Sequence, residues 1–270
     1  MQHLVPDQQV LSEIARGIAT ITLNRPAALN ALTPQMMEGL IDATARAERD
    51  EEIRCVVIRG AGENFMAGGD VKSFHKSLTE DRDAYLRRRE MQVVAAHQLI
   101  YQLRRMPKPV LVSVRGAAAG FGLSLVLAAD LAIASEDAIF TLAYRHIGLS
   151  ADGGATYFLP RVVGERRALE LALLGERFHA GRALELGILN WVVPRAGLDA
   201  ETEKLARKLA DGPTVALGLA KRLIRSSLDH SWDEHSHREA ESFAAAAATQ
   251  DHLEGVAAFV EKRSPTFRGR

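Results

Sequence analysis

Apolar and polar residues alternate along "IATITLN" (18–24), the period of a strand with one face turned inward. "IRCVVIRG" (53–60) is more continuously apolar and reads as a more deeply buried strand. Between them Thr33 suits an N-cap and Pro34 the first helical position, and Met37, Leu40, Ile41 and Thr44 then recur at helical spacing. "VLVSVRG" (110–116) and "DLAIAS" (130–135) predict a third and a fourth strand, with a helix over Phe121–Ala129 between them. Strands therefore alternate with helices from about residue 10 to about residue 200, the order of an α/β fold.

The charged stretch "HKSLTEDRDAYLRRRE" (75–90) predicts a surface loop running into an amphipathic helix with a solvated face. Past residue 200 the strand signals stop. "ETEKLARKLADGP", "TVALGLAKRLIRSSL" and "SWDEHSHREAESFAAAAAT" read as helices, with a break at Gly212-Pro213. The chain divides accordingly into a core, residues 1–200, and a helical region, residues 201–270.

Composition narrows the classes. Of 270 residues, 47% are hydrophobic and 25% charged, enough for a sizeable core. Lys and Arg number 34, as do Asp and Glu, so bulk attraction to nucleic acid or to an anionic membrane is not expected. Cys55 is the sole cysteine, which excludes an intrachain disulfide and suits a reducing compartment. "MQHLVPDQQV" carries no leader pattern. The uncharged run Gly116–Ala129 covers about 14 residues, short of a membrane span. The expectation is a soluble, cytoplasmic protein.

Familiar catalytic motifs fail on inspection. Ser124 in "GLSLV" lies inside a helical run rather than on the sharp turn of a nucleophile elbow, and reads as a buried, backbone-bonded serine. His235 and His237 are two apart, so a helix points them in different directions, unlike a zinc-holding pair; they read as solvated, and no metal site is expected. "GAGENF" (60–65) lacks the Lys-Ser/Thr of a phosphate loop. What remains is a pair of glycine-bearing turns, each after a strand: "ENFMAGGDVKSF" (63–74) and "GAAAGFGLSLVLAAD" (116–130). Residues without bulk let backbone approach a ligand closely, and the start of a helix offers unpaired N–H groups. Two such turns facing one point would make an oxyanion hole.

Six segments in order carry a family resemblance: "TLNRPAALNAL" (22–32), "NFMAGGDVKSF" (64–74), "KPVLVSVRGAAAGFGLSLVLAADLAIAS" (108–135), "LLGERFHAGRALELGILNWVV" (173–193), "GPTVALGLAKRLI" (212–224) and "HLEGVAAFVEKRSP" (252–265). The chain resembles the enoyl-CoA hydratase/isomerase (crotonase) superfamily nearly end to end. The resemblance implies a right-handed spiral of ββα units with a C-terminal helical region that packs trimers, commonly paired into hexamers. It also implies an acyl-CoA thioester substrate, with coenzyme A arriving as part of that substrate and no separate cofactor. The oxyanion-hole donors would be the N–H groups of Gly69 and Phe121. The CoA cradle would comprise Arg25, Ala28, Leu29, Ala67, Asp70 and Val71, with Lys262 reaching the CoA phosphates of a neighbouring subunit. Asp70 has a purely structural alternative, as a hydrogen-bond acceptor ordering its own loop.

Departures from the pattern bear on the reaction. The two glutamates of a typical hydratase match Ser124 and Tyr144 here. The carboxylate nearby is Asp152, in "GLSADGGATYFLP", matching the aspartate of phenylacetate-pathway ring isomerases, with Ala151 in place of their proline. A single carboxylate suffices for a 1,3-proton shift, because the group that takes the α proton can return it to the γ carbon. Isomerisation is therefore the preferred expectation. Hydration by a non-standard acid/base and acyl-CoA binding without turnover are the alternatives; RNA binding lacks a lysine-rich segment. Asp152 has helix capping as its alternative role, and Tyr144 is either a donor in the pocket or its wall.

Overall fold

The computed structural model describes residues 8–270; residues 1–7, most of the stretch read above for a leader, lie outside that range. Strands β1 (Val10–Ala15) and β2 (Ile18–Leu23) form a hairpin, and a 3-10 turn (Pro26–Ala28) leads to α1 (Pro34–Arg49) and β3 (Cys55–Gly60). Helices α2 (Val71–Glu80) and α3 (Arg82–Arg105) follow. The next pass runs β4 (Val110–Val114), β5 (Ala117–Ala119) and α4 (Phe121–Ala128). Another runs β6 (Leu131–Ser135), β7 (Ile139–Thr141), α5 (Ala155–Val163) and α6 (Glu165–Leu174). Strand β8 (Phe178–His179), α7 (Ala180–Glu185) and β9 (Trp191–Val193) complete the sheets. The chain ends in α8 (Leu198–Ala210), α9 (Thr214–Ser226), α10 (Trp232–Ala247) and α11 (Gln250–Glu261).

One sheet has the order β1-β2-β3-β4-β6-β9, parallel throughout except for the first pair; the other is β5-β7-β8. A long strand, a bend, a short strand of the second sheet and a helix make one repeat, so the chain winds as the expected spiral of ββα units. In the first repeat the short strand is reduced to Met66, which bridges to Ala118 of β5. Thr33 caps α1 as its sequence predicts, accepting from the Met36 N–H at 3.1 Å.

Residue parity explains why the central strands read as continuously apolar. Val56, Ile58, Val110, Val112, Ala132 and Ala134 face the main core, whereas Cys55, Val57, Leu111 and Ile133 face Leu198, Ala206 and Ala210 of α8. Both sheet faces are covered, as a parallel sheet requires. Ser113, of the second parity, meets Thr202 of α8 hydroxyl to hydroxyl at 2.8 Å. Helix α9 is tied to the same sheet through a buried ion cluster. The Asp130 carboxylate accepts from Lys221 at 2.8 Å and from Arg225, and caps the edge of β4 by accepting from the Val110 N–H at 2.8 Å.

The surface loop expected from residue 75 is helical instead. Asp70 and Asp81 each cap a helix with a side-chain oxygen, on Ser73 and Ala84 respectively, and that punctuation converts the charged run into α2 and α3. Among the described residues, no helix is long and apolar enough to cross a membrane. His235 is half-buried rather than solvated, whereas His237 is exposed.

Candidate active site

The two glycine turns lie against each other. Met66 pairs with the strand Ala117–Ala119 through two backbone bonds: its N–H donates to the Ala117 oxygen at 2.9 Å, and its oxygen accepts from the Ala119 N–H at 2.8 Å. Gly120 adopts φ 51°, ψ −120°, a conformation closed to residues with a Cβ. A Cβ at Gly122 would sit 2.4 Å from the Met66 oxygen, so α4 approaches the first turn this closely only as glycine. The small residues of "GAAAGFG" are thus the condition for joining the turns.

Gly69 and Phe121 are the positions of interest on the two turns. Leu32 brackets Gly69, donating to the Gly68 oxygen at 2.8 Å and accepting from Asp70 at 3.0 Å, which leaves the Gly69 N–H facing away from that pairing. Phe121 is the first residue of α4, where an N–H has no intrahelical partner. Among the described residues neither N–H donates to another backbone group. Both residues line a cavity of about 520 Å³ with mainly apolar walls.

Asp152 lines the same cavity, and two neighbours hold it. Tyr144, in the 3-10 turn Tyr144–Ile147, donates its hydroxyl to Asp152 Oδ1 at 2.6 Å. Ser124 donates to the Asp152 backbone oxygen at 3.0 Å and approaches the Tyr144 hydroxyl at 3.4 Å. Burial first, and then the adjacent Asp152 charge, raise the Tyr144 pKa above its usual value, so the phenol stays protonated. The two positions where the family resemblance would expect glutamates therefore anchor Asp152: one holds its backbone, the other its carboxylate. The capping alternative for Asp152 does not hold, because Gly154 occupies the N-cap of α5 and the Asp152 side chain caps nothing. Ser124 is buried and bonded to backbone, as its sequence setting suggests.

Of the remaining expected site residues, Ala67, Val71 and Tyr144 line the cavity. Arg25, Ala28, Leu29 and Asp70 do not line it, though they adjoin the turn that does. The Ala67 N–H reaches the Leu29 oxygen at 3.0 Å, and Arg25 pairs with Asp70 Oδ2 at 3.1 Å while Asp70 Oδ1 caps α2. Asp70 thus carries the structural load of its alternative reading. Lys262 lies apart from the cavity, exposed at the C-cap of α11. Sequence reasoning missed Glu38, Phe74, Arg88, Arg89 and Gln92 on the cavity wall. The charged run 75–90 carried no signal that would single out Arg88 and Arg89, since three successive arginines sweep only about 200° of a helix and fit within a solvent face. Among the described residues, no group of three or more His, Cys, Asp or Glu comes together as a metal site would need.

The sequence profile of the enoyl-CoA hydratase/isomerase family matches residues 13–270. The chain belongs to that family. It is 38% identical over 262 residues to the 1,2-epoxyphenylacetyl-CoA isomerase of Escherichia coli K12, covering 97% of this chain and 98% of that one. It is 36% identical over 265 residues to a probable enoyl-CoA hydratase of Rhodobacter capsulatus, covering 96% and 97%. A crystal structure of a putative enoyl-CoA hydratase/isomerase from Mycobacterium abscessus superposes with TM-score 0.91 at 34% identity, covering 97% of this chain and all of that one. The fold is the crotonase fold, and an acyl-CoA substrate is consistent with the family. Isomerase and hydratase names both occur among these relatives of the hydratase/isomerase family.

Proposed function

We propose that this member of the enoyl-CoA hydratase/isomerase family moves a double bond within an enoyl-CoA thioester by a 1,3-proton shift. The observation that carries the reading is the held carboxylate of Asp152 beside the Phe121 turn. A Cβ at the next residue, Gly153, would lie 2.8 Å from the Phe121 ring, so the chain at Asp152 presses directly on that turn. In this mechanism the Gly69 and Phe121 N–H groups donate to the thioester oxygen, more strongly as it gains enolate charge. Asp152 takes the α proton of a 3-enoyl-CoA. The electron pair spreads to the γ carbon, Asp152 returns the proton there, and the product is the 2-enoyl-CoA. Tyr144 stays protonated and keeps the carboxylate aimed. The apolar wall keeps water away from the enolate. Arg25, Ala28, Leu29, Asp70 and, from a neighbouring subunit, Lys262 would serve the CoA moiety, which comes with the substrate.

Asp152→Asn tests the assignment. The amide oxygen still accepts from Tyr144, and no cap is lost, so melting and CoA-thioester binding are expected to stay near wild type. Turnover of 3-enoyl-CoA is expected to fall roughly 10²- to 10⁴-fold, the span of a lost general base. Exchange of the α proton with deuterated solvent should fall in parallel. Normal isomerisation by the variant would remove Asp152 from the mechanism. A second reading, hydration, is favoured by Glu38, a further carboxylate on the cavity wall that could serve as the second acid–base group. Formation of 3-hydroxyacyl-CoA from 2-enoyl-CoA, without isomerase activity, would support it instead.

A further inference from the structure

Arg89, on α3, lies between two aromatic rings at the cavity wall. Its guanidinium carbon stands 4.1 Å from the centre of the Phe74 ring and 4.4 Å from that of Tyr85. It borders both the main cavity and an adjoining cleft of about 230 Å³. Stacking satisfies the faces of a guanidinium but gives the N–H groups on its edge no acceptor. Arg89 Nε is buried with no hydrogen-bond partner, and among the described residues Arg89 forms no ion pair. Among the described residues, no carboxylate pairs with it. Asp81 caps α3 on Ala84 at 2.8 Å, Glu80 faces Lys76 at 3.8 Å, and Glu38 on the opposite helix forms no ion pair with Arg89.

The position of this cation relative to the thioester site is set by Phe74. A Cβ on Gly69 would lie 2.6 Å from that ring, so the ring rests directly on the turn that offers the Gly69 N–H. One aromatic ring therefore separates Arg89 from the proposed oxyanion donor. A mainly apolar pocket into which α3 brings Arg88 and Arg89, with Arg89 a short chain-length from the reacting end, suits an acyl group carrying an anion at its far end. We propose that Arg89 binds a distal carboxylate, and that the substrate class is a short dicarboxylic acyl-CoA thioester rather than a simple fatty acyl one. This proposal rests on the reading of Gly69 as the thioester end of the cavity.

Binding of unreactive saturated thioesters tests it separately from catalysis. Calorimetric titration of the full chain would compare dicarboxylyl-CoA with monocarboxylyl-CoA of equal length, over four to eight carbons. The expected result is a preference of about tenfold or more for the dicarboxylyl thioester at one or more lengths, the size of a charge-assisted hydrogen bond. Arg89→Met is expected to abolish that ratio. Equal affinities in the wild-type protein at every length would overturn the proposal, and this arm needs no variant to fold. So would a ratio that persists in Arg89→Met. Equal weakening of both thioesters by the substitution would place the CoA phosphates, not the acyl end, against Arg89 and would also overturn it. Because saturated thioesters do not isomerise, failure of the isomerase reading would appear in turnover assays and leave these affinities untouched.

Discussion

The Tyr144 hydroxyl and the Asp152 carboxylate, eight residues apart in the chain, meet at 2.6 Å. The phenol cannot relay a proton easily, since burial and the carboxylate both hold it protonated. Its part is to fix one oxygen of Asp152 and leave the other free. Tyr144→Phe keeps the ring and removes this bond. Turnover is expected to fall about tenfold, the size of one charge-assisted hydrogen bond, with thioester affinity little changed. Steady-state kinetics separating kcat from KM check this, and an unchanged kcat would reduce Tyr144 to wall.

Phe121 combines a buried ring with an N–H that meets no backbone acceptor. Truncating the ring is expected to cost about 3–5 kcal/mol of stability whichever small residue replaces it. Phe121→Pro additionally deletes the donor, and proline is tolerated at the first position of a helix. Compared below their melting temperatures, Phe121→Pro should turn over about 100-fold more slowly than Phe121→Ala. Matching rates in the two variants would remove the Phe121 N–H from catalysis.

The helical tail carries exposed Ile224, Leu228, Trp232, Phe243, Leu253 and Phe259, an apolar surface of a kind that single chains rarely leave to water. Burial against other copies is the expected solution, and a trimer or a pair of trimers is the unit expected from the family resemblance. Light scattering should return a mass that is a multiple of three chains. A monomer at micromolar concentration would rule this assembly out.

Cys55 should make the protein alkali-sensitive. Burial, reinforced by the Asp130 charge, pushes its thiol from 9.0 up to about 12. The folded state thus holds a proton that the unfolded chain releases, so the contribution is complete below pH 9 and is lost as pH rises toward 12. Denaturant titrations should show stability falling by a few kcal/mol over that window. Cys55→Ala should flatten the fall; an equally steep decline in the variant would assign it to other groups.

Much of the fold can be read in the sequence wherever one periodicity dominates. The strands at 18–24, 53–60, 110–116 and 130–135 form within two residues of their expected limits, because each lies inside the large sheet. β1 escaped because its second half, Glu13 to Ala15, is exposed on the sheet edge and alternates weakly. β5, β7 and β8 are two or three residues long, too short for any period to show. α2 buries no side chain at all, so its charge pattern looked like a loop, and only the caps at Asp70 and Asp81 mark its limits. Within the site, the turns and Asp152 were legible from local motifs. Arg89 was not, because its meaning depends on Phe74 and Tyr85, which only the fold brings to its two faces.

The paired bonds between Met66 and the strand Ala117–Ala119 have an evolutionary consequence. They join the two turns through peptide groups, and the N–H groups those turns present are peptide groups as well. Substitutions away from the glycines of the two turns leave such a scaffold intact. The side chains at 124, 144 and 152 stand beside it, Ser124 on α4 itself and Asp152 on the loop that presses on Phe121. A change of acid or base among those side chains leaves the peptide donors in place, so new chemistry needs a few side chains rather than a new fold.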